Sequence, residues 1–217
     1  MTNKSGKLAR LAACSVIAAG LALPLTIGFA HAQQQPSTAT IINKLTPKPP
    51  LTRSLSGSPA DAAKSAEEGK FVNSLRGRTT RSLSAGDRDK IADIAKEKPS
   101  VDLEINFEYN SDRISRSALT TVDSLGKALI DTSLTGNTFI LAGYTDAKGG
   151  DGYNQGLSER RADAVRRYLS EKFGISADKL VTVGYGKTHL KNASNPFAAE
   201  NRRVAVTNMA DKKVADK

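Results

Sequence analysis

The sequence predicts an α+β fold, a two-layer βαβαββ sandwich with two main helices packed on a four-stranded mixed sheet, preceded by a flexible N-terminal region. Three observations carry this. Residues 101–107 (VDLEINF) alternate apolar and polar side chains with the period of a half-buried strand. Residues 138–143 (TFILAG) form a short continuous apolar run suited to a central strand. Two longer segments, 117–130 and about 151–173, instead repeat their apolar residues at intervals of three and four, the spacing of one helix face.

Each element has a local reason. Strand 101–107 ends in the polar loop EYNSDRI, after which Leu119, Val122, Leu125, Leu129 and Ile130 mark the first main helix. Strand 138–143 runs into the turn AKGGDG, where Gly149, Gly150 and Gly152 permit backbone angles that other residues resist. Asp151 is placed to cap the second main helix, whose core direction is set by Ala162, Val165 and Leu169. Phe173-Gly174 reads as its C-terminus. Gly156 inside that helix costs about 1 kcal/mol relative to alanine, which close approach of another backbone would explain. Segments 179–186 (KLVTVGYG) and 202–208 (RRVAVTN) are two further strands, separated by a polar loop around Asn195-Pro196.

Around this region, 100–208, the chain divides by composition. Lys4, Lys7 and Arg10 precede an uncharged apolar run from Leu11 to Ala30, and Ala30-His31-Ala32 is a small-x-small cleavage site. Residues 1–32 therefore read as a secretory signal peptide and place the protein in the periplasm. The alternative is an uncleaved helix over 11–30 that anchors the chain in the membrane. Leu11-Ala12-Ala13-Cys14 looks like a lipoprotein box, but it precedes the apolar run instead of following it. Residues 33–60 are rich in Gln, Ser, Thr and Pro and read as a disordered linker. Residues 61–99 hold two short helical segments, 61–76 and 86–98, the second ended by Pro99. The tail 209–217 reads as solvated and disordered. The tetrapeptide RSLS occurs at 53–56 and at 81–84, too little for a repeat architecture.

Composition narrows the function. Cys14 is the only cysteine and one of the two histidines is His31, so cleavage after Ala32 leaves His189 alone. That excludes disulfides, thiol chemistry and Cys/His metal sites, and no cofactor is expected. The formal net charge is +10, of which residues 1–32 carry three positive charges and no acid, leaving +7. An exported basic protein suits an anionic partner such as cell-wall polymer or anionic lipid, and we expect no nucleic acid.

The helix from Asp151 poses the functional question. Asn154, Ser158 and Arg161 recur at same-face spacing on a stripe that continues into Val165 and Tyr168. Arg160 points the other way, to solvent. A guanidinium at the margin of a core needs a partner, and Asp146, at the end of the central strand, is the nearest candidate because the turn AKGGDG brings the helix start back beside it. Two readings stay open. Asp146 and Arg161 close the turn as a structural salt bridge, or they stand apart as opposite poles. In the second case Arg161 grips a carboxylate with its planar fork while Asp146 holds an ammonium, and the matching ligand is a zwitterion.

The motifs INFEYNS, GYTDAKGGDGYNQGLSERRADAV, VGYGK and NRRVAV, in that order, resemble the OmpA-like C-terminal domain family over about residues 100–208. The resemblance implies non-covalent binding of peptidoglycan through the diaminopimelate of its stem peptide. By motif, Asp146 takes the amino group and Arg161 the carboxylate. Tyr109, Asn110 and Asn154 help to line the pocket, and Thr145, Asn201 and Arg202 are further carry-overs. Two departures are Tyr144, where the family commonly has histidine, and Ala205, where an acid often stands. Residues 33–100 lack the alternating strands of a barrel, and residues 11–30 lack the intramembrane acid of stator relatives.

Two other functions compete. One is an envelope adaptor that binds another protein through residues 33–100. The other is a wall hydrolase using paired carboxylates such as Asp146 and Asp151, which lacks a nucleophile and base set.

Overall fold

The computed structural model of the protein describes residues 35–48, 59–78, 80–108 and 111–210. Among these, five α-helices and four strands follow in the order α1 (Thr38–Leu45), α2 (Pro59–Leu75), α3 (Ala85–Lys96), β1 (Ser100–Leu103), α4 (Leu119–Leu129), β2 (Phe139–Gly143), α5 (Asp151–Phe173), β3 (Leu180–Gly184) and β4 (Val204–Asn208). The proposed signal peptide, Cys14, the first RSLS at 53–56, Tyr109, Asn110 and residues 211–217 lie outside the described residues.

The sheet order is β1-β4-β2-β3. β2 and β3 are parallel, joined by α5, whereas β4 runs antiparallel to both β2 and β1. This is the mixed four-stranded sheet that the sequence predicts, with α4 and α5 on one face. Alternation sorts the side chains. Phe139 and Leu141 of β2, Leu180 of β3, and Val204 and Val206 of β4 point into one core with Val122, Leu125, Val165 and Leu169 of the helices. The first strand is shorter than 101–107: β1 ends at Leu103, and Phe107 makes only an isolated bridge to Ile114. That bridge pins the ends of the polar loop. Gly174 takes the left-handed conformation, φ 65°, and ends α5 as expected.

Two features exceed the prediction. The expected linker over 33–60 contains α1, whose Ile41 and Leu45 are both 0% exposed, in the same core as β1 and α4. Ser37 caps it, accepting from the Thr40 amide. Two turns of isolated helix are not stable in water, so α1 depends on this docking. Asn208 donates its side-chain amide to the Leu45 carbonyl at 2.9 Å, and the Thr121 hydroxyl donates to Gln35.

The second is a third layer. The opposite face of the sheet, with Ile140, Ala142, Val181 and Val183, is covered by Val72 and Leu75 of α2, Leu83, and Ile91 and Ile94 of α3. The helices expected at 61–76 and 86–98 are thus part of the domain. Ser84, the last residue of the second RSLS, caps α3 in a reciprocal capping box with Asp87, and Leu83 fills the core. The solvated tail also begins later than expected. Met209 is buried and its amide donates to the Thr138 carbonyl.

Replacing Leu45 by alanine therefore costs about 2–5 kcal/mol of unfolding free energy in urea titration. Lys44→Ala, an exposed neighbour on the same helix, stays within about 0.5 kcal/mol. Equal and negligible effects at the two positions would return α1 to the linker.

Candidate functional site

The C-terminal end of β2 feeds the loop 144–150, and α5 returns from it. The position of α5 is fixed by glycines in the sheet. A Cβ on Gly143 would stand 2.3 Å from the Ser158 carbonyl oxygen, and one on Gly184 would meet Glu159 at 2.5 Å and Ser158 Oγ at 2.6 Å. The backbone of α5 thus lies directly on the strand ends. Ser158 Oγ donates to the Gln155 carbonyl and accepts from the Gly186 amide at 2.9 Å, tying the end of β3 to the helix. Gly156, expected at a close backbone approach, meets only the tip of Arg160.

The polar stripe on α5 now divides by role. Asn154 is buried and donates to the Lys148 carbonyl at 3.0 Å, clasping the glycine turn. Gly149 in that turn has φ 95°, a conformation that favours glycine. The helix is capped by Gly150, not Asp151; Asp151 is the first helical residue, 89% exposed, and pairs with Lys187 at 2.9 Å. Ser158 locks the sheet. Arg161 turns into a cleft.

That cleft measures about 710 Å³ and is open to solvent on one side. Thr145, Asp146, Asn154, Arg161 and Arg202 line it together, as do Phe107, Tyr153 and Phe197. Arg161 is half-buried. Its guanidinium lies over the Phe107 ring, 4.8 Å from the centroid, and its Nε donates to the Ser111 carbonyl at 3.4 Å. No carboxylate among the described residues lies within ion-pair distance of it. Burial depresses its pKa below the usual arginine range, and the neighbouring Arg202 charge pushes the same way, against the raising fields of Tyr153 and Asp146. Arginine does not give up its proton in proteins, so the shift measures how poorly the charge is solvated. The Thr145 hydroxyl is buried in the same lining with no hydrogen-bond partner.

Asp146 is paired, but with Arg202: Arg202 Nη1 donates to Oδ2 at 3.0 Å, and the Lys148 amide donates to Oδ1 at 3.1 Å. The salt bridge from Asp146 to Arg161, one of the two readings of the sequence, is not formed. Asn201, expected in the lining, is fully buried in the wall. Its amide donates to the carbonyls of Asn192, Asn195 and Pro196, and its oxygen accepts from the Asn192 amide. It shapes the loop that presents Phe197, which is 64% exposed. The Ala147 amide then donates to the Pro196 carbonyl and joins this loop to the one after β2.

Sequence reasoning missed Phe107, Tyr153 and Phe197. Phe107 reads as a strand residue by alternation, and its use as a platform depends on the bridge to Ile114. Phe197 had a signal, a large aromatic directly after proline in an otherwise polar loop. The two departures from the family pattern lie elsewhere. Tyr144 stacks on Tyr185 at 5.3 Å and under Arg203 at 3.8 Å, and both Tyr144 and Ala205 pack with the core on the other face of the sheet.

Comparison with known proteins agrees with this region. Residues 106–203 match the family model described as OmpA family. The outer membrane porin F of Pseudomonas aeruginosa is 34% identical over 106 residues, 48% of this chain and 30% of that protein. The peptidoglycan-associated lipoprotein of Pseudomonas putida is 39% identical over 100 residues, 45% of this chain and 58% of its own. The chain thus spans about a third of the porin and somewhat over half of the lipoprotein. Among solved structures, the OmpA-like domain of a Francisella tularensis protein aligns with a TM-score of 0.44 at 25% identity, covering 49% of this chain and 70% of that one. These relatives are outer-membrane or envelope proteins by name. No helix among the described residues is long and apolar enough to cross a membrane.

The packing at the strand ends gives a paired prediction. Gly143→Ala costs at least about 1–3 kcal/mol by overpacking against the α5 backbone. Gly156→Ala, which meets only the movable end of Arg160, stabilises the protein by up to about 1 kcal/mol. Thermal unfolding of the two variants checks both signs.

Proposed function

Residues 106–203 being an OmpA family domain, we propose that the protein binds peptidoglycan without chemistry, through the free end of a diaminopimelate in the stem peptide. The Arg161 guanidinium takes the carboxylate, Asp146 the ammonium, and the Thr145 hydroxyl is available to either. One observation carries this reading. Arg161 is half-buried at the cleft and held by a ring and a carbonyl, while no described carboxylate neutralises it. A desolvated cation of this kind is stabilised by an incoming anion, and its planar fork suits a carboxylate. The name of the Pseudomonas putida relative supports the same polymer. Wall association in the periplasm follows from this reading.

The same geometry weighs against the two competitors. Asp146 is held by Arg202 and Asp151 by Lys187, on separate walls of the turn, so the pair offers no acid and base facing one bond. Residues 35–48 and 63–100 contribute α1 and the covering layer to the cores. Among the described residues, an adaptor surface there would use the outer faces of α1, α2 and α3.

Co-sedimentation with purified sacculi tests the proposal. Arg161→Gln and Asp146→Asn each lower the affinity by about 10–100-fold, the equivalent of one lost charge-assisted contact of ~1.5–3 kcal/mol. Circular dichroism and unfolding confirm that the fold remains. A stem peptide containing diaminopimelate displaces the wild-type protein from the wall, whereas the same peptide with lysine in that position, whose side chain ends in an ammonium without the carboxylate, competes poorly. Undiminished sedimentation of both variants contradicts the reading, and release of soluble muropeptides would restore the hydrolase.

A further inference from the structure

We infer that Arg202 is a second carboxylate site, so that the cleft selects a stem segment carrying two free carboxylates around one ammonium. This rests on the peptidoglycan reading above and specifies which part of the stem is read. The argument begins from charge. Arg161 and Arg202 face the cleft against one carboxylate, Asp146. The other acid in the lining, Glu108, lies 3.6 Å from Arg113 and is committed there. Lys148, exposed at the rim, adds to the positive excess. A simple zwitterion brings equal charges of both signs and leaves that excess in place.

Geometry sharpens the point. Both oxygens of Asp146 are already engaged, Oδ1 by the Lys148 amide and Oδ2 by Arg202 Nη1. An ammonium arriving at Asp146 enters beside the Arg202 charge, and like charges on one carboxylate repel. Arg202 also raises the cost of charge on Arg161. A second carboxylate relieves both conflicts, because Arg202 can turn its fork to the new anion and release Asp146 to the ammonium. The side chain has room to do so, being 40% exposed, whereas Asp146 is 17% exposed and fixed by the loop amide. Beside Asp146, Arg202 therefore stands where the ligand's cation would sit. On binding it becomes a recognition group for the ligand's anion.

Two carboxylates of a stem peptide have this chemistry. One is the α-carboxylate of the γ-linked glutamate that precedes diaminopimelate. The other is the main-chain carboxylate of diaminopimelate itself, free when the stem ends there. Three synthetic tripeptides, L-Ala-γ-D-Glu-diaminopimelate and its two single amides at those positions, separate the sources. Calorimetric titration of the full chain is expected to show one amide binding about tenfold more weakly than the parent, and that amide identifies the carboxylate. In Arg202→Gln the difference between parent and amide falls below about twofold, while the parent still binds; Arg202→Lys, a charge without the fork, retains part of it.

A residue that merely positions Asp146 would weaken all three ligands alike and leave their ratio unchanged. That result overturns the inference, as does equal binding of all three peptides to the wild type. In both of those cases the peptides still bind, so the wall-binding reading survives. Failure of the wild type to bind any of the three removes that reading and this inference with it.

Discussion

The contact between the α5 backbone and the bare strand ends at Gly143 and Gly184 governs the cleft. Side chains at either position would lift the helix off the sheet, because the atoms they would meet include backbone. With the helix seated, Ser158 binds the Gly186 amide and Asn154 takes the Lys148 carbonyl. The turn 147–150 is then closed over the first turn of α5. Asp146 and Arg161 inherit their positions from this arrangement: one is three residues beyond Gly143, the other three residues beyond Ser158. Neither charge is spent on the other: Asp146 is held by Arg202 and Arg161 by a ring and a carbonyl.

Electrostatics gives the cleft a preferred sign. α5 contributes one face of its N-terminal half to the lining, and two arginines set full positive charges there. Asp146, already shared with Arg202 and the Lys148 amide, is the acid set against them in the lining apart from Glu108. Burial makes the imbalance consequential, since a guanidinium on a phenyl ring has exchanged water for a weaker partner. That desolvation cost rests at Arg161, where a bound anion would offset it. Such a site gains affinity from preorganisation more than from contact area. The aromatic residues Tyr153 and Phe197 stand half or more exposed in the same lining, surfaces on which the apolar parts of a ligand can rest.

Much of this was legible in the residues. Alternation at Val101 and Leu103, the apolar run Phe139–Gly143 and the spacing of Ala162, Val165 and Leu169 each point to the element observed, because burial on one face imposes a period. Asp146, Arg161, Thr145, Asn154 and Arg202, singled out by motif, line one cleft. What escaped depends on contacts distant in sequence. The pairing of Asp146 with Arg202 spans 56 residues, and nothing local to either announces it. Asn201 is polar and adjacent to Arg202, so spacing cannot tell that its amide is spent inside the loop. The helix α1 escaped for a different reason: only Ile41, Ile42 and Leu45 recommend it, too few to outweigh the surrounding Gln, Thr and Pro until a groove exists to receive them.

The N-terminal elements change how the cleft relates to the rest of the chain. Arg88 of α3 reaches Glu159 of α5 at 3.3 Å, and Gln155 joins the same carboxylate at 2.8 Å while donating to the Gly184 carbonyl. Glu159 is buried, so removing Arg88 would leave its charge uncompensated beside the glycine contact that seats α5. The covering layer is therefore coupled to the cleft through one helix. The direction of α1 adds a second constraint. Its last residue meets Asn208, which pairs with Phe139 at the start of β2, the end of the sheet away from Asp146. Its first neighbour, Gln35, meets Thr121 in the opening turn of α4, which descends from the loop that carries Ser111. α1 therefore begins on the end of the sheet where the cleft opens and runs away from it.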